Sequence, residues 1–311
     1  MQKKTALIFA GQGAQYVGMG QDLREQYPSA RDYFQQAERI LGFDLAAVCV
    51  SGPEPELTRT ENCQPAIFLV SWIAFQLLKE RMPSLTFAAT AGLSLGELTA
   101  LTAGGVFGFE DGLRIARQRG RFMQEACDVT RGGMAAVLGL DAETTQAVCL
   151  EAGVEMANLN CPGQIVISGE ADKITRAVEL AKTKGAKRAV ALPVAGAYHS
   201  RLMASAQPKV RELMAGIDVR SSAVPVISNV TAQPHGGPDD IRARLADQVI
   251  SPVRWEDSMR YLLAQGFTRF IELGPGTALS GFLKRIDKSA ESLNVADVKS
   301  LEATVAALSA P

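Results

Sequence analysis

The sequence predicts an α/β fold, a mostly parallel sheet domain carrying a small inserted β-α-β-β-α-β unit. Short apolar runs alternate with segments of helical spacing from Thr5 onward. A Gly-x-Ser-x-Gly pentapeptide, Gly92-Leu93-Ser94-Leu95-Gly96, sits between one such run and a helix. Between Met134 and Val194 the rhythm changes to the split, ferredoxin-like order of strands and helices.

Taken in order, Thr5 to Ala10 stops at Gly11-Gln12-Gly13 and reads as a buried strand entering a tight turn. Asp32 to Leu41 and Pro65 to Arg81 have helical spacing. Phe87 to Gly92 is a short strand ending on glycine, and helices follow over Glu97 to Gly104 and Glu110 to Ala126. The insert begins with a strand over Met134 to Leu140 and a helix over Asp141 to Ala152. It continues with strands over Val154 to Leu159 and Gln164 to Ser168, joined by an Asn160-Cys161-Pro162-Gly163 turn. A helix over Ala171 to Lys184 and a strand over Ala186 to Val194 complete it. Beyond it, Leu202 to Ile217, Asp239 to Gln248 and Trp255 to Gln265 read as helices, and Val224 to Ser228 and Phe267 to Leu273 as strands. Gly274-Pro275-Gly276 then leads into a helix through Lys284. The expected division is a large α/β domain over 1–127 and 196–311, with the insert over 128–195.

The 311 residues are 47% hydrophobic and 21% charged with a formal net charge of −1, which suits a globular protein without a global field for nucleic acid or anionic lipid. The apolar stretch Ala66 to Leu78 is shorter than the ~18 residues of a membrane span, and Ala6 to Ala10 is shorter than the ~7–15 of a signal-peptide core. Cys49, Cys63, Cys127, Cys149 and Cys161 include no C-x-x-C pair, so they are expected to be reduced core residues of a cytoplasmic protein. A monomer is the default expectation, with neither nucleic acid nor membrane as a partner.

The pentapeptide carries the chemistry. Strand, sharp turn and helix are what a nucleophile elbow requires: small residues flank Ser94, and the amide of Leu95 can face a developing oxyanion. Ser94-Leu95-Gly96-Glu97 also fits a capping box, but a cap does not explain a glycine two residues away on each side. A catalytic serine needs a base, and the chain has two histidines. His235 lies in a polar turn and reads as a solvated loop residue. His199, in Gly196-Ala197-Tyr198-His199-Ser200, follows a strand and is the candidate base. The first turn, Gly11-Gln12-Gly13, opens like a dinucleotide fingerprint, but Tyr16 stands at the third glycine position and the fingerprint fails. Its functional reading is a second backbone donor near Ser94. No zinc-ligand spacing or Walker sequence occurs, so neither a metal nor a nucleotide site is expected.

Further motifs follow in order: Gly11-Gln12-Gly13-Ala14-Gln15, the pentapeptide with Glu97, Arg117-Gln118-Arg119-Gly120-Arg121-Phe122-Met123, Asn160-Cys161-Pro162-Gly163-Gln164, the His199 segment, Gln248-Val249-Ile250-Ser251-Pro252-Val253 and Glu272-Leu273-Gly274-Pro275-Gly276. Together, from about Thr5 to Arg285, they resemble the malonyl-CoA:acyl-carrier-protein transacylases and their polyketide acyltransferase relatives. The resemblance implies a hydrolase-like α/β domain with an inserted ferredoxin-like subdomain. It implies Ser94 as nucleophile, His199 as base and then acid, the backbone carbonyl of Gln248 as the group orienting His199, and the amides of Gln12 and Leu95 as the oxyanion hole. Arg119 matches the residue that pairs with the malonyl carboxylate, and Met123 and Tyr198 fall in the acyl pocket. Malonyl-CoA is then the donor substrate and acyl carrier protein the partner, with no cofactor. Leu93 and Ala10 depart from the histidine and proline common at those positions. Tyr198 should crowd an α-methyl group and favour malonyl over methylmalonyl.

Three other readings remain at this point: a serine esterase or thioesterase with the same dyad, a non-catalytic carrier-docking module, and a dinucleotide-binding protein. For an acidic carrier, candidate docking charges are Lys182, Lys184, Lys187, Arg188, Arg201, Lys209, Arg211, Lys284 and Arg285.

Overall fold

The computed structural model describes residues 3–309. Its centre is β1 (Thr5–Phe9), an apolar strand buried along its whole length. Parallel neighbours cover both edges, β2 (Ala89–Gly92) on one side and β8 (Arg269–Leu273) on the other. The edges of the parallel sheet are β7 (Val226–Ile227) beside β2 and β9 (Glu291–Val295) beside β8, giving the order β7-β2-β1-β8-β9. The C-terminal ends of β1 and β2 therefore lie side by side, and both glycine turns open at the same edge.

Ahead of β2 come α1 (Gln21–Gln26), α2 (Pro28–Leu41), α3 (Leu45–Ser51), α4 (Glu54–Thr58) and α5 (Thr60–Arg81). Helix α5 is buried on nearly every side, which explains its apolar composition. It begins a turn before Pro65, where the sequence suggested a start. Proline has no N–H for the carbonyl of Glu61, and Arg117 Nη1 donates to that carbonyl instead, at 2.7 Å. After β2 come α6 (Gly96–Ala103) and α7 (Phe109–Asp128), the latter packed along α5.

The insert is an antiparallel sheet of β3 (Gly132–Leu138), β4 (Glu155–Cys161), β5 (Gln164–Glu170) and β6 (Arg188–Ala191), ordered β4-β5-β3-β6. Helices α8 (Ala142–Ala152) and α9 (Ala171–Thr183) cover one face, where Val137, Val148, Ile165 and Ile174 form a separate core. The other face sends Met134, Ala157 and Val166 into the main core. Backbone bonds Leu159 N–H to Val253 O (2.9 Å) and Val253 N–H to Ala157 O (2.8 Å) tie β4 to the parallel domain. The insert thus forms one wall of the protein's central cleft and carries a core cluster of its own.

Some boundaries differ from the sequence reading. Asn160 and Cys161 belong to β4, so the turn is Pro162-Gly163 alone. The expected helix over Leu202 to Ile217 is a 3-10 turn, Arg201–Met203, followed by α10 (Gln207–Ala215). Pro208, unable to donate within a helix, sits in the first turn of α10. Helices α11 (Pro238–Gln248), α12 (Trp255–Ala264) and α13 (Ala278–Ile286) fall where expected, whereas β9 and α14 (Val298–Ser309) were not anticipated. All five cysteines are free and buried, and desolvation pushes each thiol above its ordinary range. No helix among the described residues is long and apolar enough to cross a membrane.

Candidate active site

The nucleophile turn is built by steric necessity. A Cβ on Gly92 would lie 1.9 Å from the carbonyl oxygen of Gly96, and one on Gly96 would lie 2.3 Å from that of Phe9. Between them Ser94 is forced to φ 52°, a left-handed conformation that costs a non-glycine residue roughly 1–3 kcal/mol. His199 is held the same way at φ 57°. Strain stored at these two residues, each fixed by its surroundings, marks a preorganised pair.

Ser94 Oγ lies 2.7 Å from His199 Nε2. On the far side of the ring, His199 Nδ1 lies 2.9 Å from the carbonyl oxygen of Gln248. A carbonyl only accepts, so Nδ1 carries the proton and Nε2 presents its lone pair to the serine. Burial, then the nearby charge of Arg119, pushes the His199 pKa down to about 4 against the opposing pull of the Gln248 and Ser251 backbone. The imidazole is therefore neutral at physiological pH.

Arg119, on α7, is 2% exposed and reaches the dyad. Nη2 donates to Ser94 Oγ at 3.2 Å and to Gln248 Oε1 at 2.7 Å, while Nη1 donates to Gln64 Oε1 at 2.6 Å. Nε has no partner among the described residues. Every acceptor on this guanidinium is neutral. Burial pushes its pKa down to about 10, and the negative charge of Glu97 opposes that shift. A buried cation without a carboxylate on it is a site for an anionic group.

A cavity of about 510 Å³ opens over the dyad, between the parallel sheet and the insert. Gln12, Leu93, Met123, Tyr198 and Phe282 are among the residues around it. The amides of Gln12 and Leu95 have no protein acceptor among the described residues, which leaves both donors available beside Ser94. Tyr198 is buried, and burial pushes the pKa of its hydroxyl well above the ordinary range. Ala10 donates its N–H to Leu273 O at 3.2 Å, a bond a proline there could not make.

The back of the nucleophile turn differs from expectation. Glu97 does not close a capping box onto Ser94, whose N–H donates instead to Asn229 Oδ1 at 2.6 Å. Its carboxylate accepts from Asn229 N–H (3.0 Å) and Gln248 Nε2 (2.7 Å). Its other oxygen meets His235 Nε2 at 2.7 Å. The reading of His235 as solvated is corrected: its side chain is 2% exposed, drawn in by the buried Glu97 carboxylate. Gln64, Asn229 and this Glu97–His235 pair escaped the sequence reading. Only Gln64, a polar residue within an apolar helix, gave any local signal.

Among the candidate docking charges, Lys182, Lys184, Arg201, Lys209 and Arg211 are paired with Glu or Asp of this chain. Lys187, Arg188, Lys284 and Arg285 form no ion pair among the described residues, and Arg285 donates to Gln164 Oε1 and to Pro162 O, both at 2.7 Å. No group of three or more His, Cys, Asp or Glu among the described residues is placed to hold a metal ion.

Residues 6–303 match the family described as the acyl transferase domain. A malonyl CoA-acyl carrier protein transacylase of Bacillus subtilis (strain 168) is 44% identical over 310 residues, 98% of this chain and 97% of its own. The malonyl CoA-acyl carrier protein transacylase of Coxiella burnetii superposes with a TM-score of 0.96 at 36% identity, covering 100% of this chain and 99% of that one. A malonyl-transacylase solved in complex with its type II polyketide synthase acyl-carrier protein superposes with a TM-score of 0.94 at 35% identity, covering 98% of this chain and 99% of that one.

Proposed function

The chain belongs to the acyl transferase domain family, and on that premise we propose that it moves a malonyl group from malonyl-CoA to the phosphopantetheine thiol of an acyl carrier protein through a malonyl-Ser94 ester. The observation that carries this reading is the buried Arg119 guanidinium, held by neutral acceptors 3.2 Å from the nucleophile. A dyad alone supports hydrolysis or transfer of any acyl group. A dyad beside an unneutralised buried cation selects an acyl group that ends in a carboxylate.

In the first half-reaction His199 Nε2 takes the Ser94 proton as Oγ attacks the thioester carbonyl. The amides of Gln12 and Leu95 face the resulting oxyanion. Collapse breaks the carbon–sulfur bond, and the departing CoA sulfur takes the proton from His199. The second half-reaction runs the same steps in reverse, with the carrier thiol giving its proton to His199 and attacking the malonyl ester. The Gln248 carbonyl holds the imidazole in one tautomer throughout and stabilises the imidazolium as a dipole rather than as a charge. The malonyl carboxylate on Arg119 fixes the ester against the wall where an attacking water would stand, which favours transfer over hydrolysis. The chemistry calls for no cofactor.

Met123 and Tyr198 bound the acyl end of the cavity. Lys187, Arg188, Lys284 and Arg285, exposed and free of carboxylate partners, are the charges left to attract an acidic carrier. Five free, buried cysteines support a reducing compartment, the cytosol.

Brief incubation with malonyl-CoA followed by intact mass measurement tests the reading. The wild type gains one malonyl group and Ser94→Ala gains none. Added holo carrier protein then removes the label and acquires it. An adduct on both proteins, or on neither, rejects the malonyl-Ser94 intermediate.

A further inference from the structure

The carboxylate of Glu97 lies behind the nucleophile turn, fully buried and out of the cavity, and the two-step mechanism gives it no task. Its surroundings assign one. Gln248 offers its side-chain amide to both sides of the site: Oε1 accepts from Arg119 Nη2 (2.7 Å), and Nε2 donates to Glu97 Oε2 (2.7 Å) and to Ser94 O (3.0 Å). A guanidinium only donates, and a carboxylate only accepts. A flipped amide would set its amino group against Arg119 and its oxygen against two acceptors, so Glu97 leaves the amide one orientation. Glu97 is itself fixed by Asn229 N–H on one oxygen and by His235 Nε2 on the other. Asp240 and Arg119 are the other charged groups facing this cluster, with Asp240 Oδ2 3.8 Å from His235 Nδ1.

The arrangement solves a specific problem. A carboxylate placed directly on Arg119 would hold the guanidinium well and neutralise it. An amide oxygen holds it and leaves the charge for a ligand, but an amide can turn over. Placing the carboxylate one residue behind the amide locks the amide without occupying the cation.

We propose that Glu97, anchored by His235, is a positioning residue for acyl selection: it orients the Gln248 side chain so that Arg119 is held ready for an acyl carboxylate. This rests on the reading that malonyl binds through Arg119. It separates two roles of Gln248, whose backbone carbonyl serves His199 and whose side chain serves Arg119.

The test compares specificity constants for malonyl-CoA and acetyl-CoA in the wild type, Gln248→Met, Glu97→Met and Glu97→Gln, with active sites counted by acyl-enzyme mass. Gln248→Met keeps the backbone carbonyl and loses both ends of the amide. The malonyl-to-acetyl ratio is expected to fall about tenfold or more, through a higher KM for malonyl-CoA, because a hydrogen bond to a charged group is lost. Glu97→Met frees the amide to turn and lowers the ratio in the same direction; if it fails to fold, Glu97→Ala takes its place, and an unchanged ratio there beside a lowered one in Gln248→Met overturns the part given to Glu97. Glu97→Gln keeps an oxygen facing Asn229 and Gln248 and turns its amino group to His235, whose Nε2 accepts it once the ring proton moves to Nδ1 on the Asp240 side, so the ratio stays within about threefold of the wild type. A purely structural role would lower the number of active sites and leave the ratio alone. Unchanged ratios in the Met variants, or a Glu97→Gln ratio as poor as that of Glu97→Met, would overturn the proposal while leaving the malonyl reading intact. A wild type that forms no malonyl-Ser94 would overturn both.

Discussion

Two histidines flank the nucleophile turn, one on each side. In front, His199 is buried against a neutral carbonyl with a cation nearby, and its free nitrogen faces Ser94. Behind, the His235 side chain is also buried but meets a carboxylate, and that contact consumes its Nε2. The residue type and burial are alike. What differs is the partner. A carbonyl leaves the imidazole neutral with a basic lone pair on offer, whereas a carboxylate makes the ring a strut. In the proposed mechanism the front of the turn performs chemistry and the back holds it in register.

The strongest way to break this contrast is to remove His199. His199→Ala should slow malonyl-Ser94 formation by about 10³-fold or more, the scale of a lost general base, measured as CoA released in a single turnover. Residual acylation close to the wild-type rate would mean that the base lies elsewhere, with His235 the first suspect.

Next in size is Arg119→Ala, expected to lower kcat/KM for malonyl-CoA about a hundredfold and acetyl-CoA far less, since a paired buried charge is lost. An unchanged malonyl-to-acetyl preference would remove Arg119 from acyl selection. The same variant tests the electrostatics of the front wall. In the wild type, kcat/KM is expected to rise as pH climbs through about 4, where His199 loses its proton, and to stay level until about 10, where Arg119 loses its charge. The Arg119 charge disfavours a second positive charge on His199, so its removal raises the His199 pKa. The acid limb of the profile must then move to higher pH. A limb that stays in place, or moves lower, contradicts that coupling.

These two walls were not equally legible in the sequence. Ser94 and His199 could be read from local pattern, because a strand, glycines at tight contacts and a helix are neighbours along the chain. Arg119 stood among Arg114, Arg117 and Arg121 on one helix, and only family resemblance singled it out, as it did the carbonyl of Gln248. The back wall was invisible. Glu97 meets His235 and Gln248 across more than a hundred residues of chain, and such pairs leave no spacing to read. The fold shows the same limit. The apolar central strands and the α8 and α9 helices were legible by periodicity, while β9, a half-buried edge strand of sequence Glu-Ser-Leu-Asn-Val, carries too weak an alternation. Helix α10 starts late because Pro208 fits a first turn and not a helix interior.

A smaller effect is expected at the acyl end of the cavity. Tyr198 is buried in the cavity wall beside His199, and in the proposed binding mode an α-methyl group on the acyl chain adds volume against it. Malonyl-CoA should be preferred over methylmalonyl-CoA by about tenfold or more, the usual worth of one methyl in a tight pocket. Comparable specificity constants for the two thioesters would show that Tyr198 does not define that wall.

The smallest effect sharpens the contrast most. His235→Gln retains a side-chain N–H that can reach Glu97 Oε1, so the carboxylate keeps a partner and the Gln248 amide keeps its orientation. Acylation should stay within about threefold of the wild type. The cost appears in stability instead, because a more mobile side chain replaces a packed ring beside a buried carboxylate; a loss of about 1–2 kcal/mol is the scale for such a change. Thermal unfolding followed beside single-turnover acylation separates the two quantities. A strut that is weakened moves the melting temperature and not the rate. If His235→Gln instead lost rate on the scale of His199→Ala while melting normally, the back histidine would belong to the chemistry, and the division between the two walls would fail.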